Sequence, residues 1–313
     1  MNDKILLLGG DGFIGRALSQ VLVDTGWDVS VFTNHLSNDG GLINVNYIYG
    51  DYFSDEIFDV LREYKKVVHM ISSVNPTISS KEPLQGYQQD LIQFVKVIEF
   101  LSKGDRKIYF ASSGGTVYGI QNILPIPEAA LATPINHYGM TKLFIEEIIY
   151  MYNRLYQTNH VVFRISNPYG PGQNVNLSGV GVIDAFIRKA ILGEEVCIFG
   201  DGEIVRDFIY IDDLAIALFN IINKDKCDYC TYNIASGIGH SLNQVLKLIE
   251  NVLSTKVKIR YIDKRGIDAG KVILDTSRFK EEFGNDIIDT TIEDGLKLTA
   301  QFLQSRGKCG DGY

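Results

Sequence analysis

A glycine-rich turn near the start of the chain constrains its fold most strongly. Gly9-Gly10-Asp11-Gly12-Phe13-Ile14-Gly15 follows the apolar segment Lys4–Leu8 and opens the segment Phe13–Asp24, whose apolar residues have helical spacing. The glycines fit both G-x-G-x-x-G and G-x-x-G-x-x-G, in the strand–turn–helix context that this motif requires. Such a turn admits a pyrophosphate close to the backbone, at the N-terminus of the helix. We therefore predict that a dinucleotide binds here, at Gly9, Gly12, Phe13, Ile14 and Gly15.

Short apolar segments alternate with helical patterns through the rest of the first half. Helices are predicted over Tyr87–Leu101 and Tyr138–Tyr156. Strands are predicted over Trp27–Phe32, Asn46–Tyr49, Val67–Ile71, Lys107–Ala111 and His160–Ile165. This alternation is typical of parallel βαβ units, so the predicted fold class is α/β, with a doubly wound, Rossmann-like parallel sheet.

The alternation loosens after residue 166, where glycine and proline cluster. We predict a dinucleotide-binding domain over 1–166, completed by about 205–235, and a smaller α/β lobe over 167–313 that binds the substrate. The cleft between the two lobes is the expected site. Later elements are predicted at Val182–Leu192, Phe208–Ile211, Asp213–Ile222, Leu242–Leu253 and Lys256–Tyr261, with fraying over Ser305–Tyr313.

Charge, hydropathy and cysteine content exclude several classes of protein. Lys and Arg total 30 against 38 Asp and Glu, a net charge of −8, which argues against a nucleic-acid partner bound through a basic surface. No apolar run reaches the roughly 18–20 residues of a membrane span, and no signal peptide is recognisable, so we expect a cytoplasmic protein. The single C-x-x-C, Cys227–Cys230, has no second ligand pair at zinc spacing, and we expect reduced thiols and no metal site.

The residues after the second predicted strand bear on the choice of cofactor. An acid about 20 residues after the glycine turn would bind the ribose 2′-hydroxyl of NAD. Thr33 and Asn34 stand there instead, and either can hydrogen-bond a hydroxyl, while no arginine is placed to hold a 2′-phosphate. The sequence therefore leaves NAD and NADP both open. Asp51 is placed to contact the adenine, although a solvated loop carboxylate explains it equally well.

The candidate catalytic pair is Tyr138 and Lys142. The two are spaced Y-x-x-x-K on a predicted helix, so they share one face. A phenol with a pKa near 10 is a weak base at neutral pH, but a neighbouring ammonium and an oxidised nicotinamide ring favour the phenolate. Tyr138 could then take a proton from a sugar hydroxyl while hydride leaves to the cofactor.

Taken together, these motifs resemble those of the extended short-chain dehydrogenase/reductases that act on nucleotide sugars, the epimerase/dehydratase family. The resemblance covers nearly the whole chain. Besides the turn and Tyr138/Lys142 it includes Gly50-Asp51, Val67-Val68-His69, Ser112-Ser113-Gly-Gly-Thr116-Val-Tyr-Gly119, Asn167-Pro-Tyr-Gly-Pro and Gly200-Asp-Gly…Val205-Arg206-Asp207.

The resemblance implies further site residues. It implies a nucleotide-diphosphate sugar substrate contacted by Asn167, stacked near its base on Phe199, and held at its diphosphate by Arg206 and Arg265. Core packing for Phe199 and a salt bridge for Arg206 with Asp207 or Asp212 are the alternatives.

The family places a Ser or Thr where this chain has Gly114. The candidates to supply that hydroxyl instead are Ser113, slightly favoured, and Thr116, and a shifted loop would be needed. Dehydratases of the family carry an Asp-Glu pair where this chain has Gly115 and Thr116, which disfavours dehydration.

The function expected from these features is an NAD(P)-dependent nucleotide-sugar 4-epimerase that acts through a transient 4-keto sugar, with Tyr138 as base. One alternative is an NAD(P)H-dependent reductase of a nucleotide-linked 4-keto-6-deoxysugar. Another is a catalytically silent dinucleotide-binding protein, which Gly114 favours and the intact Tyr138/Lys142 pair opposes. The resemblance also implies a homodimer joined through the helices predicted over Tyr87–Leu101 and Tyr138–Tyr156, although their apolar faces could equally pack on their own sheet.

Overall fold

The computed structural model describes residues 3–35, 40–173, 181–264 and 269–308. The helices, in chain order, are α1 (Phe13–Asp24), α2 (Ile57–Leu61), α3 (Pro76–Lys81), a π-helix (Gly86–Leu91), α4 (Ile92–Ser102), α5 (His137–Tyr156), α6 (Val182–Leu192), α7 (Ile211–Asn223), α8 (Leu242–Leu253), α9 (Ser277–Phe283) and α10 (Ile292–Lys308). Among the described residues, no helix is both long enough and apolar enough to cross a membrane.

The larger sheet is parallel throughout and confirms the predicted fold class. Its strands are β1 (Lys4–Leu8), β2 (Asp28–Thr33), β3 (Val45–Tyr49), β4 (Lys66–His69), β5 (Lys107–Ser113), β6 (Val161–Ile165) and β10 (Thr231–Ile234). In the described part of the chain their order is β10-β6-β5-β4-β1-β2-β3. The strand order therefore reverses beside β1, between β2 and β4, which is where ligands bind in such sheets.

The alternation of β1 side chains shows how the sheet is wound on both faces. Ile5 and Leu7 lie in a core shared with α1 and α7, whereas Leu6 and Leu8 lie in a second core shared with α2, α4 and α5. Ile5 to Leu8 are fully buried. A continuous apolar run such as this is expected of a parallel strand covered on both sides.

Apart from β10 in the larger sheet and α7 packed beside α1, the residues beyond β6 build the smaller α/β lobe. Its strands are β7 (Asn167–Tyr169), β8 (Glu195–Phe199), β9 (Val205–Tyr210), β11 (Gly239–Ser241), β12 (Lys258–Ile262) and β13 (Lys271–Val272). Strand β9 pairs with β7, β11 and β13, while β8 pairs with β12. Because β7 follows β6 with one residue between them, this lobe begins at the carboxyl edge of the larger sheet.

Several predicted boundaries are wrong. The helix predicted over Tyr87–Leu101 is a π-helix continued by α4. The strand predicted over Val67–Ile71 ends at His69, and the strand predicted over Phe208–Ile211 is Val205–Tyr210, with α7 beginning at Ile211. The apolar run through the end of β9 gives no periodicity that separates strand from helix. Residues expected to fray from Ser305 belong to α10 as far as Lys308.

Gly15, the third glycine of the G-x-G-x-x-G motif, lies too close to the backbone of Gly10 to carry a side chain, and a stability measurement can test this. A Cβ built on Gly15 would lie 2.5 Å from Gly10 Cα, a backbone atom that cannot move aside. We predict that Gly15→Ala lowers the free energy of unfolding by roughly 1–3 kcal/mol, as expected for overpacking. Thermal denaturation measures the loss.

Gly270→Ala is the matched control, because a Cβ built on Gly270 meets nothing within 4 Å. Equal melting temperatures for the Gly15→Ala and Gly270→Ala variants would contradict the close helix–strand contact.

Candidate active site

The glycine turn presents bare backbone at the N-terminus of α1. Gly9 has a φ of +78°, and its N–H donates to Phe32 O over 3.0 Å. Gly12 is the N-cap of α1 and has no side-chain cap, and a Cβ built on it lies 3.5 Å from Gly9 O. Phe13 and Ile14 begin the helix. The uncapped N–H groups and the missing side chains fit a pyrophosphate, so the turn is suited to the dinucleotide that the sequence implies.

Thr33 is the last residue of β2, Asn34 follows it, and Asp51 lies two residues beyond β3. All three are at the carboxyl end of the larger sheet, beside the glycine turn. The Thr33 hydroxyl donates to His35 O over 2.5 Å, and Asn34 Oδ1 lies 2.7 Å from His35 Nδ1. Asp51 Oδ1 accepts from Phe53 N over 2.9 Å. Each of these side chains therefore makes a hydrogen bond within its own turn.

Helix α5 brings Tyr138 and Lys142 together at the end of β5. Asn136 caps the helix, its side-chain oxygen accepting from Gly139 N over 2.7 Å. Lys142 is 4% exposed, and its Nζ donates to Ala111 O over 3.0 Å. The same Nζ lies 5.7 Å from the centre of the Tyr138 ring. The predicted pair is thus one helical turn apart, with the ammonium fixed to β5 and the Tyr138 residue partly exposed.

Burial moves both pKa values of this pair toward the neutral forms. It raises the pKa of Tyr138 to about 12, and the charge of Asp90 acts in the same direction. It lowers the pKa of Lys142 to about 8, against the opposing effect of Asp90 and Glu146. The shift of Tyr138 is opposite to the one expected from Lys142 alone. At neutral pH the phenol therefore keeps its proton.

The loop after β5 has no room for a side chain at Gly114. A Cβ built there would lie 2.4 Å from Leu274 Cδ1 and 3.0 Å from Arg164 O. Ser113, one residue earlier, is partly exposed, and its Oγ lies 3.9 Å from a Cβ built on Gly115. Asn167 Oδ1 lies 3.7 Å from the same point. The Ser113 hydroxyl and the Asn167 amide therefore face one space.

The second candidate hydroxyl, that of Thr116, is enclosed. Among the described residues its Oγ1 is buried and has no hydrogen-bond partner. Its carbonyl oxygen lies 2.6 Å from a Cβ built on Gly139, the residue after Tyr138. The glycine at 139 thus allows the loop to approach α5.

A buried ion pair lies beneath the loop, and the sequence analysis missed it. Glu146 Oε2 accepts from Arg164 Nε over 3.0 Å and from Nη2 over 2.6 Å, and the Ser112 hydroxyl donates to Glu146 Oε1. Arg164 Nη1 also donates to Glu128 O over 3.1 Å. The spacing in the sequence could have indicated Glu146, because it is one turn beyond Lys142 on the same face of the helix.

Asp90 is a second buried acid that was missed. It is 5% exposed and belongs to the π-helix. It precedes Phe94, Val97 and Leu101, all buried, at helical spacing. An acid on an apolar stripe is the sequence signal that could have identified it.

The proposed substrate residues lie on the smaller lobe. Asn167 Nδ2 donates to Asp207 O over 2.8 Å, which ties β7 to β9. Arg206 Nη1 donates to Ala269 O and Val205 O, each over 2.8 Å. Phe199 is the last residue of β8 and is partly exposed. Arg265 lies outside the described residues.

Comparison with known proteins identifies the family. The family model described as the NAD dependent epimerase/dehydratase family matches residues 5–235. The chain belongs to this family.

Similar members of the epimerase/dehydratase family include epimerases and a reductase. The chain is 29% identical to a putative UDP-glucose 4-epimerase of Methanocaldococcus jannaschii, which covers 97% of this chain and 99% of that protein. It is 30% identical to a dTDP-4-dehydro-6-deoxyglucose reductase of Escherichia coli, over 90% of this chain and 92% of that protein. A crystal structure of Thermotoga maritima UDP-glucose 4-epimerase with UDP-glucose aligns with a TM-score of 0.90 and 31% identity, over 97% of this chain and 99% of that one.

Proposed function

We propose that this protein is an NAD-dependent nucleotide-sugar 4-epimerase that acts through a transient 4-keto sugar. The observation that carries the proposal is the buried Lys142 ammonium beside the partly exposed Tyr138 phenol, at the sheet edge that also bears the bare glycine turn. The similar epimerases from M. jannaschii and T. maritima support the reaction type.

The two lobes have different roles in this proposal. Residues 1–166, with about 205–235, hold the dinucleotide at the turn formed by Gly9, Gly12, Phe13, Ile14 and Gly15, with Thr33, Asn34 and Asp51 on the adenosine side. Residues 167–313 hold most of the sugar nucleotide, through Asn167, Phe199, Arg206 and Arg265. Arginine suits the diphosphate because its forked donors stay charged.

Tyr138 moves the proton in the proposed mechanism. When bound, the dinucleotide supplies a hydride acceptor and donor and a positively charged ring. Beside the Lys142 ammonium and such a ring, Tyr138 would have its pKa lowered from the raised value and could act as the base toward the C4 hydroxyl. Lys142, fixed on Ala111 O, stabilises the phenolate, and the same Tyr138 returns the proton to the epimer.

We assign the second hydroxyl at the reacting oxygen to Ser113. Its Oγ lies on the side of Gly115 that faces Asn167, whereas the Thr116 hydroxyl is enclosed. Leu274 fills the space at Gly114 where a side chain would otherwise project. Ser113 then orients the C4 hydroxyl toward Tyr138.

Replacing Tyr138 tests the proposed function. The purified protein should convert UDP-glucose, or another sugar nucleotide of a panel, into a mixture of C4 epimers without net change in NADH absorbance. Tyr138→Phe should lower kcat by roughly 10²–10⁴-fold, because general acid–base catalysis is lost.

Tyr229→Phe, a matched change at a 38% exposed tyrosine, should keep wild-type activity. Epimerisation that survives in the folded Tyr138→Phe variant would exclude Tyr138 as the base. A wild-type protein inactive on the whole panel would favour a silent dinucleotide-binding role.

The two hydroxyls can be compared directly. We expect Ser113→Ala to lower kcat by about tenfold or more, because one hydrogen bond to the reacting oxygen is lost. Thr116→Val should change kcat less than threefold and should not destabilise the protein, since a buried hydroxyl without a partner is replaced by a methyl group. The opposite ranking in steady-state kinetics would assign the role to Thr116.

A reductase of a nucleotide-linked 4-keto-6-deoxysugar is the second candidate. The 30% identity to the E. coli reductase favours it, as does the absence of an acid at Thr33. A reductase consumes added NADH stoichiometrically with a keto sugar, whereas an epimerase retains its cofactor and shows no net consumption.

We also propose a homodimer formed through α4 and α5. The inner face of α5 buries Ile145 and Ile149. Its outer face leaves apolar side chains exposed at Phe144 (44%), Met151 (40%) and Leu155 (65%), and α4 exposes Ile92 (55%). A second apolar stripe outside the fold supports packing of two copies as a four-helix bundle.

The unbridged thiols of Cys197, Cys227 and Cys230 support a reducing, cytoplasmic location.

A charge on the outer face of α5 should break the dimer. We predict that Met151→Glu shifts the sedimentation coefficient from dimer to monomer, because desolvating a carboxylate in an apolar interface is costly. Leu298→Glu, at a 45% exposed leucine of α10, is the control and should stay dimeric. A Met151→Glu protein that sediments as the wild type does would rule out this interface.

A further inference from the structure

The buried carboxylate of Asp90 lies on the π-helix where it crosses α5. A Cβ built on Gly86, the first residue of the π-helix, would lie 2.8 Å from Thr141 Oγ1, the residue before Lys142. This close approach brings the π-helix against the turn of α5 that carries the proposed catalytic pair. Single π turns within helices occur frequently at functional sites.

Hydrogen bonds fix the carboxylate in place. Asp90 Oδ2 accepts from Ser72 Oγ over 2.8 Å, and the Ser73 N–H donates to Oδ1 over 2.8 Å and to Oδ2 over 3.0 Å. Ser72 and Ser73 follow β4, whose carboxyl end faces the site. These three contacts hold the carboxylate at the carboxyl end of β4.

The two buried acids near the pair differ in whether they have a salt bridge. Glu146, also on α5, is neutralised by Arg164 at 2.6 Å. Burial lowers the pKa of His69, on β4, to about 3, so this ring is neutral, and its Nε2 is paired with Tyr52 OH at 2.7 Å. Among the described residues around Lys142, Asp90 is then the negative charge without a salt-bridge partner of its own.

We propose that Asp90 is a positioning residue that acts as the buried counter-charge of Lys142. Its negative charge, and not only its hydrogen bonds, is needed to keep Lys142 protonated. The proposal rests on the proposed function. Without this charge, burial would strip the proton from Lys142 more readily, and the phenolate of Tyr138 would lose its stabilising ammonium. Asp90 acts on the pair through space and does not need to contact the substrate.

Asp90→Asn separates charge from hydrogen bonding. The amide oxygen can still accept from Ser73 N–H, and its NH₂ can donate to Ser72 Oγ, so the local contacts are kept. Activity needs Lys142 protonated, so it is lost as pH rises through the pKa of Lys142, about 8 in the native chain. We expect the alkaline limb of the kcat profile to move down by about one pH unit in Asp90→Asn, with KM changed less than twofold.

Ser72→Ala is the matched control, because it removes one hydrogen bond to Asp90 and keeps the charge. Its alkaline limb should stay at the wild-type pH. Asp90→Ser, smaller and also neutral, is the second variant if Asp90→Asn folds poorly, and it should show the same downward shift. A wild-type alkaline limb in a folded, neutral variant at position 90 would overturn the proposal, as would an equal shift in Ser72→Ala.

A binding measurement separates this proposal from the proposed function. At pH 6, where Lys142 is protonated, a carboxylate beside the pair favours the positively charged ring of NAD⁺ over the neutral ring of NADH. Asp90→Asn should therefore weaken NAD⁺ relative to NADH by about tenfold, and Ser72→Ala should leave the ratio unchanged. A wild-type protein without epimerase activity would refute the proposed function, and this ratio would still decide the role of Asp90. An unchanged ratio in Asp90→Asn would count against it.

Discussion

The arrangement of the site depends on the ion pair between Glu146 and Arg164. Their side chains are 0% and 5% exposed, and the Ser112 hydroxyl completes the contact, so α5 is tied to β5 and β6 at one point. Breaking a buried pair by removing one partner costs about 3–5 kcal/mol, because the other charge is left alone. This strongly limits how α5 can slide or rotate on the sheet. Lys142 and Tyr138 lie one and two turns before Glu146, so their positions follow from this contact.

In the proposed mechanism, the base strength of Tyr138 depends on whether the cofactor is bound in the cleft. Burial holds Tyr138 neutral, and Lys142 keeps its charge against burial with help from acids on two helices. In this account, base strength appears only when a positively charged ring joins Lys142 at the sheet edge. The net charge of −8 of the chain is no obstacle to the proposed anionic ligands, because the groups proposed to bind them, the N-terminus of α1 and Arg206, would act locally.

The features that local sequence patterns specify were predicted well. Helices α1, α6 and α8 have the predicted bounds because clear apolar periodicity is bounded by glycine or by the Ser241 capping box. The parallel sheet was also predicted, since strand–helix alternation determines it.

Features that depend on distant partners were missed. Strands β7 and β13 are defined by pairing with β9, and a π-helix differs from an α-helix only in its hydrogen bonds. A side chain at position 114 would meet Leu274, which lies far along the chain. The sequence pattern alone could show that a hydroxyl was displaced, but only the packing of that loop shows where Ser113 and Thr116 point.

The most direct measurement of the central claim follows the hydrogen on C4 of the sugar. The protein is incubated with its nucleotide sugar in deuterated water until both epimers are present, and the products are examined by NMR and mass spectrometry. We predict that both epimers keep the original hydrogen on C4, because only the hydroxyl proton passes through Tyr138. Deuterium at C4 would contradict it, since epimerisation would then proceed by removal of a carbon-bound proton.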